Sequence, residues 1–531
     1  MIDTKALREK VLDLAIRGKL VPQDPTDEPA SVLLERIREQ KKQMVKEGKL
    51  KAKDIKDDSV IFVSDDNLHY EKFADGTVEC IEDKIPFEIP NGWEWVNLGT
   101  VCDVYGRIGF RGYTKGDFVS KGEGAISLSP SNIVNNSMDY EKCSYITWQK
   151  YEESPEIMIY NGDILLVKTG SSYGKSAIVY DLPEKATINP QFVVLKNSRI
   201  ITSYLCYFLQ SLYCISMYEK FVGGTAIPTF SQANLKAMYV AIPPIKEQSR
   251  IVNAIKIAEE QIVLIDNNNN ELQTDANLLK TKILDLAIRG KLVPQNPDDD
   301  PASVLLEHIR AEKEELIKQG KIKRDKKESV IFKGEDNSYY EKIGNGETKC
   351  INENVPFEIP KDWCWCRLGT LFAHNTGKAL NSADTAGTPM TYITTSNLYW
   401  DHFELNSLKE MPFTESEIEK CTVTKGDLLV CEGGDVGRSA IWMFDEDIRI
   451  QNHIHRLRTF ISLSNRFYYY VMFMWKQMGF IGGQGIGLQG FSSKALHNLL
   501  VPLPPEEEQI KIAAFVDNLF ETITNMEKSL S

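Results

Sequence analysis

At 531 residues, with 42% hydrophobic and 26% charged residues, the chain has room for two to four domains and the composition of ordinary globular protein rather than a disordered or fibrous one. A formal net charge of −13 argues against a broadly basic nucleic-acid surface. The ten scattered cysteines read as reduced thiols, and the charge-studded stretch from Met1 to Lys19 has neither the apolar core of a signal peptide nor that of a membrane anchor, so a cytoplasmic protein is expected.

In chain order, residues 1–20 read as part of a helix, and 21–84 as an insert with a charge-laced amphipathic helix from Ser31 to Lys46 and a hairpin at Asp75-Gly76. Residues 85–245 form a long mixed region of strand-like segments that ends in the double proline Pro243-Pro244. Behind it, 246–292 carries Ile251, Ile255, Ala258, Ile262, Ile265, Asn269, Leu272, Ala276, Leu279, Ile283 and Leu286 at alternating steps of four and three, a heptad seam with one polar break. At 1.5 Å per residue such a helix is about 65 Å long, a spacer more than a core element. A second insert follows at 293–355, with a helix from Ser303 to Lys318 and a hairpin at Asn345-Gly346, then a second mixed region at 356–505 and a terminal helix at 506–531.

The chain is a repeat. KVLDLAIRGKLVPQ at 10–23 returns as KILDLAIRGKLVPQ at 282–295, PASVLLERIR at 29–38 as PASVLLEHIR at 301–310, SVIF at 59 again at 329, and PFEIPNGWEWVNLGT at 86–100 as PFEIPKDWCWCRLGT at 356–370. Inside the mixed regions only anchors persist, such as GDILLVKTGSSYGKSAI at 162–178 against GDLLVCEGGDVGRSAI at 426–441. With Pro504 aligned on Pro243, the last 25 residues reproduce the central seam. Ser531 maps to position 270 and Met1 to 273, so the two ends together supply a second copy of the central helix. The repeat is circular, and the termini are expected within about 10 Å of each other.

Enzymatic motifs fail in one copy or both. GSSYGKS at 170–176 has three residues between its glycines where a phosphate loop needs four, which leaves a glycine turn joining two strands. Asn189-Pro190-Gln191-Phe192 resembles an amino-methyltransferase motif but has Gln for the second proline, and its counterpart at 451–455 lacks it altogether. His453 and His455, two apart and so expected on one face of a strand, have no acidic or cysteine partner at ligand spacing; Cys364 and Cys366 alternate on a strand without a second pair, so no metal site is expected.

What remains is binding chemistry. Lys168, Ser171, Ser172, Tyr173 and Lys175 lie in a glycine-rich turn where the backbone can approach phosphate or base edges closely. Thr225, Thr229 and Gln232 follow one Gly-Gly turn, and Gln484 and Gln489 follow the other. Arg107 and Arg111 flank Gly109; Arg438 takes the place of Lys175 in the second copy; Gln191, and Gln451 and Asn452 in the other copy, read as strand residues that point at something polar; Lys378, Ser396 and Asn397 complete the candidate DNA contacts. Neither mixed region is basic, with 13 Lys and Arg against 14 Asp and Glu in 85–245 and 13 against 15 in 356–505. A binding face must be a local patch, or a partner must supply phosphate contacts.

The LDLAIRGKLVPQ segment, the PASVLLERIR helix and the PPIKEQ or PPEEEQ opening of a heptad helix, set around two divergent regions, closely resemble the specificity subunit of type I restriction-modification systems over essentially the whole chain. The resemblance implies an α+β fold: two mixed α/β target recognition domains separated by two long antiparallel coiled-coil helices in a pseudo-twofold circular repeat. It implies no catalysis by this chain and no cofactor on it. Double-stranded DNA would be read as two half-sites of an asymmetric sequence. Two methyltransferase subunits with S-adenosylmethionine would methylate adenine, and restriction subunits would use ATP and Mg. The inserts at 21–84 and 293–355 exceed what a minimal subunit needs, and docking of partner subunits is their expected role. A scaffold or antagonist that holds methyltransferase subunits without reading DNA is the competing reading.

Overall fold

The computed structural model describes residues 2–48, 55, 58–107, 112–222, 227–324, 328–344, 346–380, 386–481 and 491–529. They fall into two compact units, one of residues 2–269 and one from residue 270 onward. The expected meeting of the termini involves Met1 and Ser531 and lies outside the described residues.

The amino-terminal unit starts with helix α1 (Thr4–Ile16) and helix α2 (Ala30–Lys46), whose Leu34, Ile37 and Lys41 point inward at helical spacing. Three short strands follow, β1 (Val60–Val63), β2 (His69–Lys72) and β3 (Val78–Cys80), paired antiparallel in that order; the turn at Asp75-Gly76 joins the last two, with Gly76 at φ +89°. The first strand, the repeated SVIF string, extends the expected hairpin into a sheet.

The mixed region is built on two further sheets. One has the order β7-β6-β8-β5, all antiparallel, from β5 (Asp103–Gly106), β6 (Ile164–Val167), β7 (Ser176–Ile178) and β8 (Phe192–Lys196). The other has five strands and one parallel pair, Ala186–Ile188 against Gly124–Leu128. Strand β6 is buried at all four positions, so it reads as a continuous apolar run without alternation. A pair formed by β4 (Glu94–Asn97) and β9 (Tyr239–Ile242) closes the region and delivers the chain to the 44-residue helix α3 (Ile245–Ile288).

The carboxy-terminal unit repeats this plan. Helix α4 (Ala302–Lys318) precedes the sheet β10 (Ser329–Lys333), β11 (Tyr339–Ile343) and β12 (Thr348–Cys350). Next come β13 (Cys364–Arg367), β14 (Phe372–Thr376), β15 (Leu428–Cys431), β16 (Ser439–Ile441) and β17 (Ile454–Thr459), with the sheet order β16-β15-β17-β14. A four-stranded sheet again holds one parallel pair, Thr388–Ile393 with Ile448–Ile450. Strand β18 (Leu500–Leu503) pairs with β13 and leads into helix α5 (Glu506–Ser529).

The strongly repeated strings form one buried joint in each unit. Glu247, from PPIKEQ, is buried and accepts the Trp93 indole N–H at 3.0 Å and the Gln23 amide at 3.1 Å; Glu508, from PPEEEQ, accepts Trp363 at 2.8 Å and Gln295 at 2.5 Å. Gln23 and Gln295 also donate to the carbonyls of Gly18 and Gly290. Those glycines sit at φ +65° under Pro90 and Pro360, where an added Cβ would lie 2.3 and 2.4 Å from the ring, so no other residue fits. The guanidinium of Arg17, held by Asp13 at 2.7 Å, lies over Phe87; Arg289, held by Asp285 at 2.6 Å, lies over Phe357. The next glutamines, Gln248 and Gln509, donate to Pro243 and Pro504 at 2.9 Å.

Each unit contains an antiparallel helix pair. Thr4 and Arg8 of α1 bond to Asp266 at 2.6 Å and Glu259 at 2.8 Å of α3. In the other unit, Glu527 of α5 accepts from Gln273 at 3.3 Å and Lys280 at 3.2 Å, while Glu508 at the opposite end of α5 meets Gln295. The seam differs from the expected one in its second half. Ile251, Ile255, Ile262 and Ile283 are buried and Ala276 packs against the core as expected, but Leu272 and Leu279 are exposed, and Gln273, Lys280 and Ala287 turn inward. After Asn269 one of the two seam rows shifts by one residue, from Leu272 and Leu279 to Gln273 and Lys280, while Ala276 and Ile283 keep their places. A straight α-helix drifts by roughly 20° per heptad against a seven-residue repeat, so about five heptads accumulate one residue's rotation. Asn269, the polar break, donates to the Ile2 carbonyl at 2.9 Å, just ahead of α1.

Candidate nucleic-acid interface

In the amino-terminal unit, three segments distant in sequence converge at the end of β6. The Lys168 N–H donates to the Gln191 carbonyl at 2.8 Å, the Lys168 carbonyl accepts from Phe230 N–H at 3.2 Å, Gly170 N–H donates to Pro228 at 2.9 Å, and the hydroxyls of Thr169 and Thr229 are 2.7 Å apart. The turn from 168 to 175 joins β6 to β7 as a glycine turn, with Gly170 and Gly174 at φ +100° and +85°. Lys168, Ser171, Ser172, Gln191 and Thr229 are therefore brought together. Gln232 lies beside them, its amide nitrogen 2.8 Å from where a Gly106 Cβ would stand. Lys175 is exposed, and Tyr173 packs partly against the core.

Lys168 is half-buried and faces no carboxylate among the described residues; burial alone pulls its ammonium below the usual lysine range. Gln191 accepts the Asn189 amide at 3.0 Å and keeps its own NH2 without a partner among those residues.

In the carboxy-terminal unit the same backbone joint recurs with different side chains. Glu432 N–H donates to the His453 carbonyl at 2.8 Å, and the Glu432 carbonyl accepts from Phe491 at 2.9 Å. Glu432 thus stands where Lys168 stands, His453 where Gln191 stands, and Phe491 where Phe230 stands. The frame below is common, since Asp163 pairs with Lys196 on β8 and Asp427 with Arg458 on β17 at 2.6 Å. Neither Glu432 nor His453 was among the candidate contacts. Counting forward from the shared Asp163 and Asp427 sets Lys168 on Glu432, whereas counting back from Ser176 and Ser439 sets Lys175 on Arg438; the second turn is one residue shorter.

Several expected contacts belong to the frame. Arg107 is 4% exposed and donates to the Ile188 carbonyl at 3.0 Å and the Thr187 hydroxyl at 3.1 Å. Lys378 is buried, with its ammonium on the Pro412 carbonyl and Glu417, each at 2.8 Å. Buried Asn397 donates to the Glu404 carbonyl and accepts from Thr394, as Asn132 does with Asp139 and Ser129 in the other unit. Arg438 donates to the Thr395 carbonyl and lies over Tyr399, and the Ser396 hydroxyl pairs with that of Thr394. Gln451 and Asn452 use their backbone N–H groups on Ile393 and Lys378 and leave their side chains partly exposed. Arg111, Thr225, Gln484 and Gln489 lie outside the described residues.

The two histidines do not share a strand face. His453 precedes β17 and is exposed, while His455 is fully buried, 2.9 Å from His374 and 2.7 Å from the Phe491 carbonyl. Burial, with His455 alongside, pushes His374 down to about 3. Among the described residues, no His, Cys, Asp and Glu group is placed to hold a metal ion, and no helix is long and apolar enough to cross a membrane.

The family model "Type I restriction modification DNA specificity domain" matches residues 90–274 and 360–531, more than half of the chain. The type I restriction enzyme EcoAI specificity subunit of Escherichia coli is 27% identical, the match covering 98% of this chain and 90% of the relative. The EcoEI specificity subunit of the same organism is 26% identical, over 99% and 90%. Among solved structures, a chain determined for complex assembly and conformational transition of the type I R-M system shares the fold, with a TM-score of 0.57 at 17% identity over 84% of this chain and 94% of that one. With its two matched domains on one duplicated frame, the chain belongs to the type I restriction-modification DNA specificity family, as a non-catalytic specificity subunit.

Proposed function

We propose that this specificity subunit reads a bipartite, asymmetric DNA site, one half through the turns of each unit. The observation that carries the reading is the pair Lys168 and Glu432, held by the same backbone hydrogen bonds at the end of the same strand and opposite in charge. A lysine there donates to guanine O6 and N7 or to phosphate; a glutamate accepts from the cytosine or adenine amino group and is repelled by phosphate. One frame with two such tips addresses two different sequences. Ser171, Ser172, Gln191 and Thr229 join Lys168 in the first contact group, and His453, Gln451 and Asn452 join Glu432 in the second.

The acidic balance is compatible with this reading when partners share the phosphate clamp, because many of this chain's cations are engaged internally, as Lys41 is with Asp58, Lys313 with Glu328 and Arg466 with Asp517. Two methyltransferase subunits docked on the helix pairs would provide it. Exposed Ile257, Val263 and Leu264 on α3, and Leu278, Leu279, Phe515 and Met526 on the helices of the other unit, give apolar surface for that docking. S-adenosylmethionine, ATP and Mg belong to the methyltransferase and restriction subunits.

Mapping methylated adenines after incubation of random duplex with the assembled methyltransferase complex tests the proposal. The expected result is two unlike half-sites at a constant spacing. Methyltransferase binding without protection of any sequence would instead make the chain a scaffold.

A further inference from the structure

The three-stranded sheets of the two inserts carry none of the side chains assigned to DNA reading, yet they keep one feature that solvent-facing surfaces usually lose. The register sets Val60, Phe62, Tyr70, Lys72, Val78 and Cys80 on one face of β1–β3, and Val330, Phe332, Tyr340, Lys342, Thr348 and Cys350 on the matching face of β10–β12. Five of these six pairs are identical in type. The opposite face explains only itself: Ile61 and Ile331 are buried, and Glu71 and Glu341 accept from Ser59 and Ser329. The retained face is open, with Phe62 38% and Phe332 43% exposed. On the adjacent helices, by contrast, exposed positions have drifted, as Arg36 to His308, Glu39 to Ala311, Lys42 to Glu314 and Gln43 to Glu315.

The face is also rigidly prepared. Phe62 stacks on Tyr70 at 6.0 Å and 25°, Phe332 on Tyr340 at 5.9 Å and 24°. Each tyrosine hydroxyl donates to the acid of its own turn, Asp66 at 2.8 Å and Asp336 at 2.9 Å, and each turn passes through an asparagine at positive φ, Asn67 and Asn337. Acidic turn residues, Asp65 and Asp66 in one copy and Glu335 and Asp336 in the other, flank the aromatic pair. A fixed aromatic anchor with acids at its turn end, and Lys72 or Lys342 at the other end of the face, matches a protein surface with an apolar pocket whose edge beside the turn carries Lys and Arg. Because the chain carries the same open face once in each unit, the occupant is one kind of protein present in two copies.

We infer that each insert sheet is a docking face for one methyltransferase subunit, a contact separate from the long helices, made by the Phe62/Tyr70 or Phe332/Tyr340 pair and the acidic turn beside it. The inference rests on the reading that two methyltransferase subunits bind this chain. Its test is titration of the full-length chain with the methyltransferase subunit of the same system, followed by sedimentation velocity. Phe62→Ser with Val60→Ser is expected to weaken one of the two binding events by roughly tenfold, Phe332→Ser with Val330→Ser the other, and the fourfold variant both. Charge reversal at the rim, Asp65→Lys and Glu335→Lys, leaves the sheet intact and is expected to act in the same direction, with less effect at high salt. Wild-type affinity for both copies in the fourfold and the charge-reversed variants would overturn the inference alone. A wild-type chain that binds no methyltransferase subunit would overturn it together with the reading on which it rests. Self-association of the chain alone, abolished by the same variants, would put a second copy of the chain on these faces and contradict the assignment.

Discussion

Glu247 and Glu508 illustrate how a short string earns its place in a repeat. Each carboxylate is buried with an indole N–H and a glutamine amide as donors, and desolvation holds the Glu508 carboxyl above the usual range. Glu247→Ala leaves the buried Trp93 indole N–H unpaired and removes one of the two bonds of the Gln23 amide, and is expected to cost about 1–3 kcal/mol, measured as a lower urea midpoint at unchanged slope. His374 adds a pH dependence. Its folded value, about 3, lies below the ordinary 6.5, so the folded state binds its proton only at the lower pH. The stability it contributes is complete above pH 6.5 and is lost as pH falls toward 3, by about 1 kcal/mol per pH unit. Urea titrations at pH 7.5 and pH 5 are expected to show this loss in the native chain and a smaller one in His374→Gln. The strings around Glu247 were legible as a repeated signature, but no sequence pattern marks Lys378 and Asn397 as buried, because their partners, Glu417 in the short helix Glu415–Cys421 and the backbone of Glu404 in a loop, share no periodicity with them. Lys168 was legible as a candidate from its glycine-rich turn; Glu432, an acid in a turn one residue shorter that also carries Asp435, was not.

Among the elements, the helices were the most readable. The expected helices of the inserts match α2 and α4 to within a residue, since amphipathic spacing, a preceding proline and a following glycine delimit them. The strands of the mixed regions were not assignable one by one, because runs such as Ile164–Val167 are buried on both faces and show no alternation. The central helix shows where periodicity fails over length. A seven-residue count predicts Leu279 inward, but the drift of a straight helix leaves it 50% exposed and turns Lys280 toward Glu527. Leu279→Glu is therefore expected to leave the unfolding midpoint of the chain within about 0.5 kcal/mol of wild type, whereas Ile283→Ala, four residues on and buried, is expected to cost about 2–4 kcal/mol. Equal effects of the two substitutions would restore the uninterrupted seam.

For the molecule as a whole, duplication separates what is shared from what is read. The joint at Glu247 and Glu508, the ion pairs Lys196–Asp163 and Arg458–Asp427 and the sheet orders are common to both units, while the tips at Lys168 and Glu432 differ in sign. Shared frame and divergent tips are what two independent half-site readers require. The exchange of residues 356–505 for the corresponding region of another specificity subunit, followed by mapping of methylated adenines, tests this claim most directly. The account predicts that one half of the recognised sequence changes while the other half and the spacing between them persist; a change in both halves, or in neither, would contradict it.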